Sequence, residues 1–245
     1  MKKILVFLFC ALIAVFCFSS CILINFSDFG SVKGEGDLEK FEFRVGDYNR
    51  IKMEGAYEVR YYSASSDIVT LNVQPNLKEY FKVEVTNGEL IVSATKRIRF
   101  SNNKMPVLTV STPLLTRLNI EGACDFKALD KITSDSLSVI MSGAGRMAAE
   151  LDVNSLIVDM SGAGSMEFSG RADKTSIEIS GAGEIDALSL QSREAKINLS
   201  GAATVKISIS EFLRIDADGV GTVEYRGSPV VEQNTSGMVN IRRVN

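Results

Sequence analysis

Side chains that could do chemistry recur in this chain about every twenty residues. Asp159, Glu178, Asn198 and Asp216 each stand three places before a glycine, at Gly162, Gly181, Gly201 and Gly219. Winding that superposes them would set Asp159 directly beside Glu178, with Asn198 and Asp216 one and two steps further on. Neighbouring carboxylates ~5 Å apart can bind a cation or divide the acid and base roles of glycoside cleavage. Beside this column runs a second, Ser142, Ser161, Ser180 and Ser200. A serine nucleophile needs a base at hand, and the 245 residues contain no histidine. Imidazole triads, His-ligated metals and His general bases are therefore excluded. The expectation is a solvated polar face of Asp159, Glu178, Asn198 and Asp216, with the hydroxyls bonding along the backbone. No catalytic residue, metal or cofactor is assigned.

Two further motifs lose their meaning in context. Gly143-Ala144-Gly145-Arg146-Met147-Ala148 fits a dinucleotide fingerprint, but that fingerprint needs a strand before it and a helix behind it. Near-copies recur at Gly162 and Gly181 with no helical pattern following. Calcium-binding solenoids carry an aspartate at fixed spacing in nonapeptides. These units have twice that period and put Arg146, Ser165, Glu184 and Thr204 after the corner.

The elements that must position these columns are repeats. Reference glycines at 122, 143, 162, 181, 201 and 219 are separated by 21, 19, 19, 20 and 18 residues, and Gly237 lies 18 further on. Four places before each stand Leu118, Val139, Val158, Ile177, Ile197 and Ile215. Two places before stand Ile120, Met141, Met160, Ile179, Leu199 and Ala217, and the residues between are polar except Ile140. A third apolar column follows the corner: Phe126, Met147, Met166, Ile185, Val205 and Val223. Period-2 alternation on both sides of a Gly-Ala-Gly corner reads as two short strands per unit. About twenty residues are too few for a strand, crossover helix and return, which need ~30. The remaining way to bury one apolar face per unit is to coil and stack, equivalent strands pairing in parallel. The predicted fold is all-β, a single-stranded parallel β-helix, right-handed by the usual crossover preference. The glycines are expected where φ is positive or coil backbones approach closely.

Residues 40–117 alternate differently. Phe41–Val45, Tyr57–Tyr61, Ile68–Val73, Phe81–Val85 and Leu90–Val92 read as strands, and Asn87-Gly88 between the last two is a strong hairpin signal. Ile51-Lys52-Met53-Glu54-Gly55-Ala56 is an early echo of the repeat. This region is expected to form a mixed or antiparallel β cap on the first coil, because an open solenoid end is an unpaired sheet edge. One continuous domain, 40–245, then comprises the cap at 40–117 and the coils at 118–245. Lys96-Arg97-Ile98-Arg99 with Lys104 is expected to be an exposed basic loop, either ordinary solvated surface or a binding patch.

The N-terminus reads as targeting. Lys2-Lys3, an apolar run from Ile4 to Phe18, and Ser19-Ser20 before Cys21 describe a signal segment, 1–20. Phe18-Ser19-Ser20-Cys21 resembles a bacterial lipobox with Phe in place of the usual Leu, so Cys21 is the expected lipidation site. An uncleaved membrane anchor is the alternative, since Ile22-Leu23-Ile24 extends the apolar stretch. Residues 21–39, with Gly30, Gly34 and Gly36, read as a tether. Cys10 and Cys17 leave with the signal, and Cys124 is expected to be a buried, inert thiol. Net charge is -3, and -5 once Lys2 and Lys3 are removed, which argues against nucleic acid as a partner.

Over approximately residues 41–243 the chain resembles the putative auto-transporter adhesin, head GIN domain family of Bacteroidetes envelope lipoproteins. The resemblance is carried by Asn87-Gly88-Glu89-Leu90-Ile91-Val92, Ser111–Leu118 and the Ser-Gly-Ala-Gly units. It implies a β-helix with a surface or adhesive role and assigns no ligand residue. Ile22–Gly30 holds only Asp28 as an acidic residue, so either face of the outer membrane, periplasmic or exterior, suits the lipoprotein. The functional expectation is a lipid-anchored, non-enzymatic module binding a glycan or an envelope protein. The alternative is a carbohydrate-active lyase or hydrolase using Asp159, Glu178 and Asp216. A third reading is a spacer that self-associates through its C-terminal coil.

Overall fold

The protein is described here by a computed structural model covering residues 31–100 and 104–245; the stretch 1–20 read as a signal segment, and Cys21, lie outside the described residues. In chain order the first strands are β1 (Ser31–Lys33), β2 (Glu39–Arg44), β3 (Arg50–Glu54), β4 (Ala56–Tyr62), β5 (Ile68–Val73), β6 (Phe81–Thr86), β7 (Glu89–Ala94), β8 (Arg97–Arg99) and β9 (Val107–Ser111). The coils follow as β10 (Arg117–Ile120), β11 (Ala123–Ala128), β12 (Ile132–Met141), β13 (Ala144–Met160), β14 (Ala163–Ile179) and β15 (Ala182–Leu199). They end with β16 (Ala202–Ala217), β17 (Val220–Arg226), β18 (Val230–Thr235) and β19 (Met238–Val244).

The predicted winding is present. From β10 to β19 every pairing is parallel, giving a β-solenoid of about 7 turns. Leu118, Val139, Val158, Ile177, Ile197 and Ile215 are paired neighbour to neighbour and are at most 1% exposed. The column through Ile120 and the column through Phe126 stack in the same way. Burying a Leu, Ile or Val side chain contributes ~1.5–3 kcal/mol against chain entropy. A ladder of such residues is therefore what holds one coil to the next.

The corner glycines answer to crowding between coils. A Cβ on Gly143 would lie 1.9 Å from the Gly122 carbonyl oxygen, and one on Gly162 would lie 1.9 Å from that of Gly143. Neither glycine has left-handed backbone. Of the two reasons expected for these glycines, close approach is the operative one. Left-handed geometry is needed instead in the β6–β7 hairpin, where Asn87 and Gly88 have φ of 51° and 74°, as a two-residue turn of this kind requires.

The cap is mixed, and it departs from chain order. The echo of the repeat is the first true coil: β3 pairs in parallel with β10, and β4 with β11. Residues 63–116 are inserted between that coil and the next. Within this insertion β7 and β9 lie in parallel against the outer edges of β3 and β4, and antiparallel β5 and β6 continue the sheet. Strand β2 then pairs antiparallel with β5. The edge that the first coil would expose is thereby covered. At the opposite end two core columns turn polar, with Gln233 over Ile215 and Thr235 over Ala217, and Arg243 stands over Tyr225, while Val231 and Ile241 continue the columns of Leu213 and Val223. Polar and charged residues at core-facing positions blunt an edge against adding further strands.

Within the stretch read as a tether, 21–39, the described residues begin at Ser31. Strand β1 pairs with β8, and Asn76 holds the following backbone by donating to the Lys33 carbonyl and accepting from the Glu35 amide. The basic stretch read as a loop is likewise strand from Arg97 to Arg99.

Cys124 is fully buried, its thiol lies 3.8 Å from the Gly55 carbonyl oxygen, and burial pushes its pKa up to about 11. At pH 8 only about one thiol in a thousand is then ionised, and the thiolate is the reactive form. Titration of the native protein with a thiol reagent is expected to leave Cys124 unmodified until denaturant is added. Prompt native labelling would contradict the packing of the second coil.

Candidate functional site

The sheet register brings the sequence-predicted residues together. Asp159 pairs with Glu178, Glu178 with Asn198 and Asn198 with Asp216, with Ile140 before them and Asn234 after. The column lies on the outer side of the ladder formed by each coil's first strand, because its members alternate with the buried columns. Its end is electrostatically committed. Arg214 donates from Nε to Asp216 Oδ2 at 2.9 Å and holds that carboxyl below the usual aspartate range, with Lys196 adding to the effect. An acid that must deliver a proton near neutrality needs the opposite shift. The serine column serves the corner: Ser142 Oγ donates to the Ile120 carbonyl and Ser200 Oγ to the Ile179 carbonyl, each one coil back. Among the described residues no three Cys, Asp or Glu side chains converge as a metal site.

A concave site missed by sequence reasoning lies further along each coil. Arg171 pairs with Gln191, Gln191 with Ser208 and Ser208 with Arg226. These four residues line a groove of about 640 Å³. Three coil steps at ~4.8 Å place its terminal arginines ~14 Å apart along the solenoid axis. A regular ladder would be flat here. The hollow coincides with a break in the register of β15 and β16, where Ala187 pairs with Ile207 but Gln191 pairs with Ser208, leaving Leu188, Ser189 and Leu190 as a bulge. Two residues further on, Ser192 pairs with Ile209 and Glu194 with Phe212, a second shift in the opposite sense.

Ion pairs fix the groove's rim. Arg193 forms a two-pronged contact with Glu211 at 2.8 and 3.0 Å, and Arg171 binds Asp173 at 2.7 Å. The arginine beside each carboxylate holds it below its ordinary range. Arg226 is oriented by the Leu188 and Asn245 carbonyl oxygens. Under the floor Thr175 and Ser192 share a buried hydroxyl–hydroxyl bond of 2.7 Å. The arrangement offers guanidinium, amide and hydroxyl groups in a row, suited to hydrogen-bonding a polyhydroxylated or anionic chain. The sequence signal was present in the repeat lengths, which run 19, 19, 20, 18 across these coils; length alone does not say on which side the extra residue emerges.

The family described as "Putative auto-transporter adhesin, head GIN domain" matches residues 47–229. The chain belongs to this family. Solved structures with the same fold include a putative adhesin from Bacteroides fragilis, 21% identical, covering 87% of this chain and 100% of its own, with a TM-score of 0.81. A putative lipid binding protein from Parabacteroides distasonis is 20% identical, with 88% and 100% coverage and a TM-score of 0.69. A putative adhesin from Parabacteroides merdae is 21% identical, with 88% and 100% coverage and a TM-score of 0.61. At such identities the likeness concerns the fold. No protein with a curated description matches the chain. Nothing in the family description assigns a ligand residue, so the chemistry of this head GIN domain has to be read from its own faces.

Proposed function

We propose that this head GIN domain is a lipid-anchored cell-envelope adhesin whose solenoid binds a glycan or an envelope protein without catalysis. The observation that carries the reading is the groove at Arg171, Gln191, Ser208 and Arg226: a shallow concavity with polar groups contributed by four successive coils. The flat column of Asp159, Glu178, Asn198 and Asp216 extends the contact surface for a protein partner. Membership of an adhesin family and likeness to structures described as adhesins support this reading, as does the lipobox-like Phe18–Cys21. The enzyme alternative fits less well, because Asp216 is held ionised by Arg214 and the groove's own carboxylate, Asp173, is engaged by Arg171.

A screen of the purified full chain against glycans and envelope proteins tests the proposal. Arg171→Gln with Arg226→Gln is expected to weaken glycan binding at least tenfold, taking ~1.4 kcal/mol per tenfold step. Asp159→Asn with Glu178→Gln should leave that binding unchanged. New reducing or unsaturated ends released from a polysaccharide by the wild-type chain, and lost in Asp159→Asn, would favour the enzyme instead.

A further inference from the structure

Strands β1 and β8 form a two-stranded parallel ribbon separate from the solenoid sheet. Its register pairs Ser31 with Arg97, Val32 with Ile98 and Lys33 with Arg99. Val32 and Ile98 pack against the core, so strand alternation turns Lys33, Arg97 and Arg99 to the other side, where all three are exposed. Lys96 adds a fourth cation, 4.8 Å above the Tyr80 ring. Of the acids nearest in sequence, Asp37 is paired with Lys104, while Glu35 is exposed two residues from Lys33 and only its backbone amide is held, by Asn76. Asn76 also fixes the backbone at Lys33, so the cations are displayed from a clamped element.

Ten residues separate Cys21 from Ser31, a span of at most ~35 Å when fully extended. The ribbon is the first described element after the proposed lipid site. We infer that the Lys33 and Arg97 face lies against the anionic phospholipid headgroups of the membrane that carries the N-terminal lipid, an inference that rests on the lipid-anchor reading. Acyl chains and a basic patch are complementary means of membrane attachment, the patch acting only within about a Debye length of the surface. Docking at the cap also orients the molecule: the cap end sits on the bilayer and the far coils, with their groove, project away from it.

The full processed chain, incorporated through its own lipid into phosphatidylcholine vesicles with or without phosphatidylglycerol, provides the test. Amine acetylation of Lys33 and Lys96 is followed by mass spectrometry, with Lys127 and Lys196 on the solenoid as internal controls. Modification of Lys33 is expected to be several-fold slower on the anionic vesicles, the difference vanishing at raised salt, while Lys127 and Lys196 react alike on both. Arg97→Gln should reduce the protection of Lys33 about fivefold. Chains that float with the vesicles yet acetylate Lys33 equally on both compositions would overturn the docking face and leave the lipid anchor standing. Chains that do not float at all would overturn both.

Discussion

Gly162→Ala is expected to lower the thermal midpoint by about 10 °C. The added Cβ would sit 1.9 Å from the Gly143 carbonyl oxygen and 2.9 Å from two backbone carbons of the coil below. None of these atoms ends a flexible side chain, so relief requires the coils to part, and parting them weakens the Val139–Val158 and Met141–Met160 contacts on the same ladder. Overpacking of this kind costs about 3 kcal/mol or more when backbone must move, and for a chain of this size each kcal/mol shifts the midpoint by ~2–4 °C. Gly46→Ala is the matched control, since nothing lies within 4 Å of its added Cβ; a change within ~0.5 kcal/mol is expected there. Thermal unfolding followed by circular dichroism measures both. A Gly162→Ala chain as stable as the parent would mean that coil spacing is looser than described.

Removing one whole turn should be tolerated where removing half of one is not. Deleting residues 162–180 excises 19 residues, the interval between Gly162 and Gly181, and joins Ser161 to Gly181. Strand β13 would then meet β15, with Met147 beside Ile185 and Val158 beside Ile197, apolar on apolar. Solenoid stability is close to a sum of per-coil and nearest-neighbour contributions, so the shortened chain should fold with a reduced but cooperative transition. Deleting 162–171 alone leaves the following strand out of phase. Ser176 and Glu178 would then fall at the inward places of Met166 and Phe168, and Ile177 at the outward place of Glu167. That variant is expected to be insoluble or unfolded. Far-ultraviolet circular dichroism and gel filtration separate the outcomes, and a collapsed 162–180 deletion would refute the modular picture.

The legibility of this fold has a physical origin. In the coils, one strand period and one corner recur at nearly constant spacing, so Val158, Ile177 and Ile197 declare their superposition by sequence distance alone. The cap offers no such rule. Leu90 and Val92 pair with Ile51 and Met53 from within the 63–116 insertion, and nothing in a strand's own residues names a partner some forty positions away. The same limit applies to the ribbon: Val32 and Ile98 alternate with cations in a way that a solvated loop could also show, and only their pairing makes them a strand with a charged face.

For the sites the division is similar. The column of Asp159, Glu178, Asn198 and Asp216 followed from the period, since residues at equal phase in a parallel stack must adjoin. The groove did not. The row of Arg171, Gln191, Ser208 and Arg226 is set by where coils of unequal length absorb their mismatch, and a bulge can be taken up at any of several places with similar local energy. Sequence by itself settled the parallel β-solenoid, its core columns and its polar outer column, because the hydrophobic effect reads periodicity directly. Tertiary structure alone decided the order in which the cap strands stack, the side on which the coils open into a groove, and the charged face of the β1–β8 ribbon, because each depends on the balance of long-range pairings that no local pattern encodes.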